Sequence, residues 1–381
     1  MKTTKITFVS NYINHHQIPF SNAMYERLGP NYSFIQTEPM EEERVRMGWG
    51  LDLESIPYLL CLDREETKCK ELLLNSDVVI FGGTEQEELI KPRLVAKKIT
   101  IRNSERLYRE GQWKAISPRG LIKKYKDHTK YRKSNVFLLS IGGYTASDYS
   151  LVRAYPHKKF KWGYFPETKI YNVEELMNGK NHINNKGEKE LHILWAGRFM
   201  PLKHPGYAIQ LAKQLKEDGF TFHLDMVGGG ELDDHLRKQV LDDQLQDVVT
   251  FHGFMKPHQV RNFMEKANIF LFTSNYLEGW GAVVNEAMNS GCAVVASHAV
   301  GSTCYLIQDE YNGLIYKNNC YSMFYKEVKS LFNKREYTKE LGNHAYQTIT
   351  QQWNAENASD LLIRKCEQLS KGTVLFEEDG P

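Results

Sequence analysis

The sequence predicts an α/β protein of two doubly wound domains, and three observations carry that prediction. Short apolar runs of strand-forming residues alternate with longer stretches of helical character, the pattern of a mostly parallel sheet with helices on both faces. At 381 residues the chain is long enough for two domains of ordinary size, each with its own core. Between the halves, Thr168 to Glu190 is polar, rich in Asn, Lys and Glu, and lacks a sustained apolar period, so it reads as an interdomain linker. The expected domains span residues 1–170 and 188–352.

Composition narrows the class. Apolar residues at 41% and charged residues at 25% describe an ordinary soluble globular protein. No run approaches the roughly 20 apolar residues that a membrane span needs. Met1 to Ile6 leads straight into a strand without a signal-peptide core. The six cysteines (61, 69, 292, 304, 320 and 366) include no pair at metal-ligand spacing, which suits reduced residues of a cytoplasmic protein. A net charge of +2 argues against a nucleic-acid binder.

Taken in order, Ile6–Ser10 reads as the first strand and roughly Gln17–Leu28 as the helix after it. The turn between them is unusual in carrying Asn14, His15, His16 and Gln17. Tyr32–Gln36 and Tyr58–Leu62 are further strands, and a charged helix from Glu65 to Asn75 leads to the apolar run 77–83. Lys98–Arg102 and Asn135–Ser140 complete the strands expected in this half. Ligands bind at the carboxyl ends of strands in such sheets. Gly82-Gly83-Thr84-Glu85, Asn103-Ser104-Glu105 and Gly142-Gly143-Tyr144 are therefore expected on one edge.

From Pro118 to Lys133 the chain holds seven basic residues against one acid, Asp127. Leu121, Ile122 and Tyr125 share one face of a helix there, with most lysines away from it. The bland reading is a solvated face, and the sharper one is a patch for an anionic membrane surface.

The second half opens with the strand Leu191–Ala196, then Gly197-Arg198 and, five residues on, Lys203. Thr221–Val227 is the next strand, with Gly228-Gly229-Gly230-Glu231 as its turn. A dinucleotide site is excluded there because the glycines are consecutive rather than spaced as Gly-x-Gly-x-x-Gly. Val248–Gly253 runs into a loop carrying Phe254 and Met255. Ile269–Phe272 is a buried strand, Ala282–Asn289 a helix, Gly291 its left-handed stop, and Ala293–Ala296 another strand. Glu278, Gly279, Trp280 and Gly281 thus occupy a strand-to-helix turn, with Glu286 inside the helix. Glycines there let a ligand approach the backbone, the first helical amides (Ala282, Val283) favour a phosphate, and the two carboxylates can accept hydrogen bonds from a polyol. Helices follow over roughly 322–332, 338–351 and 355–371, and the acidic tail from Gly372 to Pro381 is expected to fray.

The phrase Glu278-Gly-Trp-Gly through Asn285-Glu286-Ala287 to Gly291 closely resembles the signature of the retaining glycosyltransferases of family 4. That pattern is a glutamate, seven residues, then glutamate-alanine. The resemblance covers nearly the whole second half and only the general layout of the first. It implies the GT-B fold, in which two Rossmann-like domains face an interdomain cleft. The first domain would bind the acceptor, the second the nucleotide-sugar donor, and the final helix would return to the first domain.

Gly197-Arg198 with Lys203 resembles the family's pair clamping the donor diphosphate, where charge builds as the sugar leaves. By the same resemblance Glu278 would hold donor-sugar hydroxyls and Glu286 the ribose. Gly229, Gly230, Phe254, Met255, Gly279, Trp280, Gly281, Ala282 and Val283 would line the donor site, with the nucleobase at Phe254 and Met255. Asn14, His15, His16, Gln17 and Glu105 would face the acceptor. Transfer would run with retention, the leaving phosphate taking the acceptor's proton, without metal or other cofactor. In one respect the chain departs from the family: Tyr305, in Val300–Ile307, stands where glycines and an acidic residue are common. The implied role is cell-surface polysaccharide assembly on a saccharide or lipid-linked acceptor, in the cytoplasm and peripherally at the inner face of the plasma membrane. The rival readings are a nucleotide-sugar epimerase of the same fold and a non-catalytic carbohydrate- or nucleotide-binding protein.

Overall fold

Strand-forming runs become two parallel sheets in the computed structural model, which describes residues 4–372. The tail beyond 372, expected to fray, lies outside them. The chain divides into unit 1, residues 1–167 with 353–381, and unit 2, residues 168–352.

Unit 1 holds β1 (Ile6–Ser10), β2 (Tyr32–Gln36), β3 (Leu59–Cys61), β4 (Val78–Gly82), β5 (Thr100–Ser104), β6 (Val136–Ile141) and β7 (Lys159–Trp162). Their order is β3-β2-β1-β4-β5-β6-β7, every pair parallel, so the winding reverses between β1 and β4. Such a reversal opens a crevice at the carboxyl ends of the two strands. Val9, Ile35, Val79 and Leu138 are buried in the core that these strands share with their helices. β7 escapes the sequence reading because only Phe160 and Trp162 point inward, between two lysines.

The helix Ala355–Ser370 closes unit 1 against the helix Ile18–Leu28, where Arg27 reaches Glu356 at 2.7 Å and also pairs with Asp360.

Unit 2 holds β8 (His182–Ile183), β9 (Lys189–Ala196), β10 (Phe222–Val227), β11 (Val249–Gly253), β12 (Ile269–Phe272), β13 (Ala293–Ser297) and β14 (Leu314–Tyr316). The order β11-β10-β9-β12-β13-β14 is parallel throughout, with β8 antiparallel on β9. Its winding reverses between β9 and β12. Ile193, Trp195, Leu224, Met226, Leu271 and Val295 are buried at its centre.

The expected linker is corrected here. Residues 168–190 fold as part of unit 2, with a helix at Val173–Asn178 whose Leu176 and Met177 are buried. Lys169 and Asn289 exchange hydrogen bonds at 2.8 and 3.0 Å, and buried Lys180 donates to the carbonyls of Met264 and Ala267. A polar composition hides this because the stretch is anchored through its backbone and two long cations rather than through an apolar stripe.

Candidate functional site

The carboxyl edge of unit 2 is built from turns bonded to one another. After β9 the Gly197 amide donates to Val227 O at 3.0 Å, and the Phe199 amide to Gly229 O at 2.8 Å. Glycine is required at 228, where φ is +134° and a Cβ would sit 1.9 Å from the Gly197 carbonyl oxygen. A Cβ on Gly229 would meet the ring of Phe254 at 2.9 Å, so the turns after β10 and β11 also touch. Phe254 presents an exposed ring there, with Met255 half-buried beside it in sequence.

Arg198 is exposed and makes no ion pair among the described residues. Lys203 ends the short turn Pro201–Lys203, and its ammonium pairs with the carboxylate of Glu278, both side chains largely shielded from solvent. Two residues named for separate parts of a donor are thus brought together. The loop carrying Lys203 is tied to the end of β12 by Thr273, whose hydroxyl donates to Lys203 O at 2.6 Å and accepts from Trp195 Nε1 at 2.8 Å. The amide of Asn275 adds a bond to Leu202 O at 2.8 Å. The sequence reading passed over Thr273, although a polar residue directly after the apolar run 269–272 was a usable signal.

The turn after β12 carries Glu278 to Gly281. Trp280 is buried and donates to Asn285 Oδ1 at 2.9 Å, so what it offers a ligand is backbone. Gly281 has φ +79°, and a Cβ there would lie 2.2 Å from the ring of Phe272. The helix runs Val283–Asn289 with Ala282 as its N-cap. Val284 is the first to bond back, to Gly281 O at 3.0 Å, so the amides of Ala282 and Val283 precede the helical ladder. Glu286 is half-buried on this helix. Buried Arg261, also unforeseen, donates from Nη1 to Glu286 O at 3.0 Å and Asn289 Oδ1 at 2.9 Å, placing a cation at the helix's carbonyl end. Tyr305 sits with its ring centroid 6.3 Å from that of Trp280, and burial pushes its phenol up to about 12.

In unit 1 the turn after β1 is closed by Asn14, whose carbonyl accepts from Gln17 at 2.9 Å and Ile18 at 3.1 Å. Gln17 Nε2 donates to Ser10 Oγ at 3.2 Å. The rings of His15 and His16 lie 3.9 Å apart, and Trp49 stands edge-on to both. Arg44 covers the Trp49 ring at 4.8 Å. Burial, then Arg44, pushes His15 down to about 4, and burial, with His15 and Arg44 beside it, holds His16 well below the ordinary range. Both imidazoles are therefore neutral at pH 7. The covering stretch 42–49 received no assignment from sequence.

Glu105 stands apart from its sequence neighbours. It pairs with Arg109 and accepts from Tyr164 Oη at 2.8 Å. Gly82 to Glu85 and Asn103-Ser104 instead line one cavity of about 610 Å³ at the carboxyl ends of β4 and β5, which includes neither Glu105 nor Gly142 to Tyr144.

Comparison with known proteins places this geometry. Residues 179–348 match the family described as "Glycosyl transferases group 1". The amylovoran biosynthesis glycosyltransferase AmsK of Erwinia amylovora is 30% identical over 196 residues, 49% of this chain and 45% of that protein. A Campylobacter jejuni N-acetylgalactosamine-N,N'-diacetylbacillosaminyl-diphospho-undecaprenol 4-alpha-N-acetylgalactosaminyltransferase is 29% identical over 178 residues, 46% and 47% of the two chains. The chain spans about half the length of the curated relatives it matches. Anabaena Alr3699/HepE, solved in complex with UDP, superposes with a TM-score of 0.71 at 13% identity over 96% of this chain and 100% of its own. Sucrose-phosphate synthase from Thermosynechococcus elongatus gives 0.67 at 14% identity, covering 97% and 100%. The two doubly wound units are those of the GT-B fold, as the sequence led us to expect.

Proposed function

We propose that this chain transfers a sugar from a nucleotide diphosphate donor to a hydroxyl of a saccharide or lipid-linked acceptor, with retention of anomeric configuration, in surface-polysaccharide assembly. The observation that carries the reading is the Lys203–Glu278 pair on the same sheet edge as Arg198, which makes no ion pair among the described residues. A sugar diphosphate supplies the anion that both cations can take, and it releases Glu278 to accept from sugar hydroxyls. Negative charge grows on the diphosphate as the glycosidic bond breaks, so fixed cations there lower the barrier more than they strengthen ground-state binding. The amides of Ala282 and Val283 add neutral donors, and Glu286 is assigned to the ribose.

The names of the relatives support the reading at the level of substrate class. AmsK is named for amylovoran biosynthesis, the Campylobacter enzyme for a diphospho-undecaprenol acceptor, and HepE was solved with UDP, which makes UDP the first nucleotide to try. No resident cofactor is assigned, and turnover is expected to survive exhaustive treatment with EDTA.

The test is thermal melting of the full chain with UDP, GDP, ADP and their sugars, followed by transfer assays. One nucleotide should raise the Tm, by about 2.7 kcal/mol of added stability at 100 times its Kd. Arg198→Ala and Lys203→Ala should abolish the shift. A chain that no nucleotide stabilises would sink the proposal, and nuclear magnetic resonance of the product's anomeric centre tests retention.

A further inference from the structure

One face of the unit 2 sheet is polar where a doubly wound sheet is normally apolar on both sides. His192 on β9, His223 and Asp225 on β10, and Thr250 and His252 on β11 are half-buried along it, while Leu191, Ile193, Leu224 and Met226 belong to the core. His192 and His223 lie opposite each other in register, as do Asp225 and Thr250. After Met226 the register slips. Met226 faces Phe251 but Val227 faces Gly253, so His252 is the extra residue of a β-bulge. A bulge re-aims a side chain. Here it sends His252 Nε2 onto Asp225 Oδ1 at 2.7 Å, and His223 Nε2 approaches the same oxygen at 3.5 Å. One carboxylate oxygen thus holds two imidazoles.

The bulge leads straight into the loop that carries Phe254 and Met255. Gly253 has φ +70°, and its carbonyl accepts from the Gly228 amide at 2.8 Å. The charged groups around the cluster are few. Glu190 lies 3.2 Å from His192, and His182 on β8 stacks on His192 with ring centroids 3.7 Å apart. The helix Pro257–Lys266 covers the cluster with Phe263, whose ring is 4.5 Å from that of His252. Of that helix and its N-cap, Arg261 is turned to Asn289 and Glu265 to Lys169 and Tyr171, while Lys256, His258 and Lys266 are exposed. The hydrogen bond from Asp225 raises His223 above the ordinary imidazole range. Burial works to raise Asp225, but the two imidazoles hold it below the usual carboxylate range. Burial, then His182, lowers His192.

We propose that Asp225, His223 and His252 form a proton-sensitive latch that positions the loop 253–255 for the nucleobase. They are positioning residues, acting through the loop. The inference rests on the reading above that the base meets Phe254 and Met255. A charged His223 pins the carboxylate that anchors the bulge. That contribution is full below the unfolded imidazole value of about 6.5 and is lost as pH rises through the higher folded one. The bond from His252 outlasts it, since a neutral imidazole can still donate from Nε2. The latch is therefore tightest in mild acid and relaxes, without opening, above neutrality.

The test is calorimetry of the full chain with UDP, GDP and ADP between about pH 6 and 8.5. Comparing each variant with wild type at one pH cancels the titration of the nucleotide's own phosphates. Asp225→Asn should weaken binding about tenfold at the acid end and threefold or less at the alkaline end. His252→Phe keeps a ring beside Phe263 without the bond and should also cost roughly tenfold. His252→Gln restores a donor and should stay within about threefold of wild type. With no nucleotide added, amide exchange at 253–255 should quicken in Asp225→Asn and His252→Phe while Ile193 and Leu271 stay slow. A wild-type to Asp225→Asn ratio that does not move with pH, wild-type affinity in both damaging variants, or unchanged exchange at 253–255 would overturn the latch. Faster exchange in those variants of a chain that binds no nucleotide at any pH would keep the latch and sink the donor reading instead.

Discussion

Lys203 holds Glu278, so a donor must compete for it. Glu278→Gln removes the competitor and should tighten nucleoside diphosphate binding by about 1.5 kcal/mol, the lower end for a hydrogen bond between charged groups in a largely shielded position. The same change weakens the grip on sugar hydroxyls and should slow transfer by about 3 kcal/mol of transition-state stabilisation. Calorimetry and turnover moving in opposite directions would support the pairing, whereas both falling together would place Glu278 on the nucleotide. His15 gives a second expectation at this scale. Its folded pKa, about 4, lies below its unfolded value, so the unfolded chain binds more protons between about pH 4 and 6.5. Stability is full above that window and declines as pH falls through it, by on the order of 3 kcal/mol. Urea titrations of His15→Gln should lose that slope; an unchanged slope would mean that the ring is not shielded as described.

The short helix Val283–Asn289 depends on neighbours more than on its own seven residues, since an isolated helix of that length does not form. Arg261→Leu should therefore cost about 3 kcal/mol, because it strips donors from Glu286 O and Asn289 Oδ1 without giving them water. Urea denaturation within 0.5 kcal/mol of wild type, roughly the effect of an ordinary surface change, would contradict this. Elements are also where the sequence was most and least informative. Ile6–Ser10 and Tyr32–Gln36 were legible to the residue because every position of these parallel strands is buried, so that β-branched and aromatic residues cluster there with only small or capping polar ones among them. The candidate turns were legible because glycine and charge at strand ends have few other uses. Thr273, Arg261 and the 42–49 cover over His15 were not, because their roles lie in contacts between distant stretches. The exposure of Leu121, Ile122 and Tyr125 on the 118–127 helix was half legible. Periodicity gave the stripe, but only packing could give its direction.

At the scale of the molecule, two cores share one chain unequally. Unit 2 is continuous, whereas unit 1 is made from both sides of it. The helix Ala355–Ser370 buries Ala358, Leu361, Leu362, Cys366 and Leu369 within unit 1. Ending the chain at Gln352 should therefore destabilise the first unit and spare the second. Hydrogen exchange would show this as lost protection over β1 and the helix Ile18–Leu28, with Ile193 and Leu271 still slow. Equal loss in both units would mean that they do not fold as separate cores.

That arrangement sets a schedule during synthesis. The N-terminal sheet leaves the ribosome first but lacks its closing helix until all of unit 2 has been made. At about 5–20 residues per second, the wait is roughly 10–40 s. Throughout it the side of the helix Ile18–Leu28 that Ala355–Ser370 will cover stays open to other nascent chains and to chaperones. The second unit can thus be finished before the first, and the first is sealed last by residues from the far end of the chain.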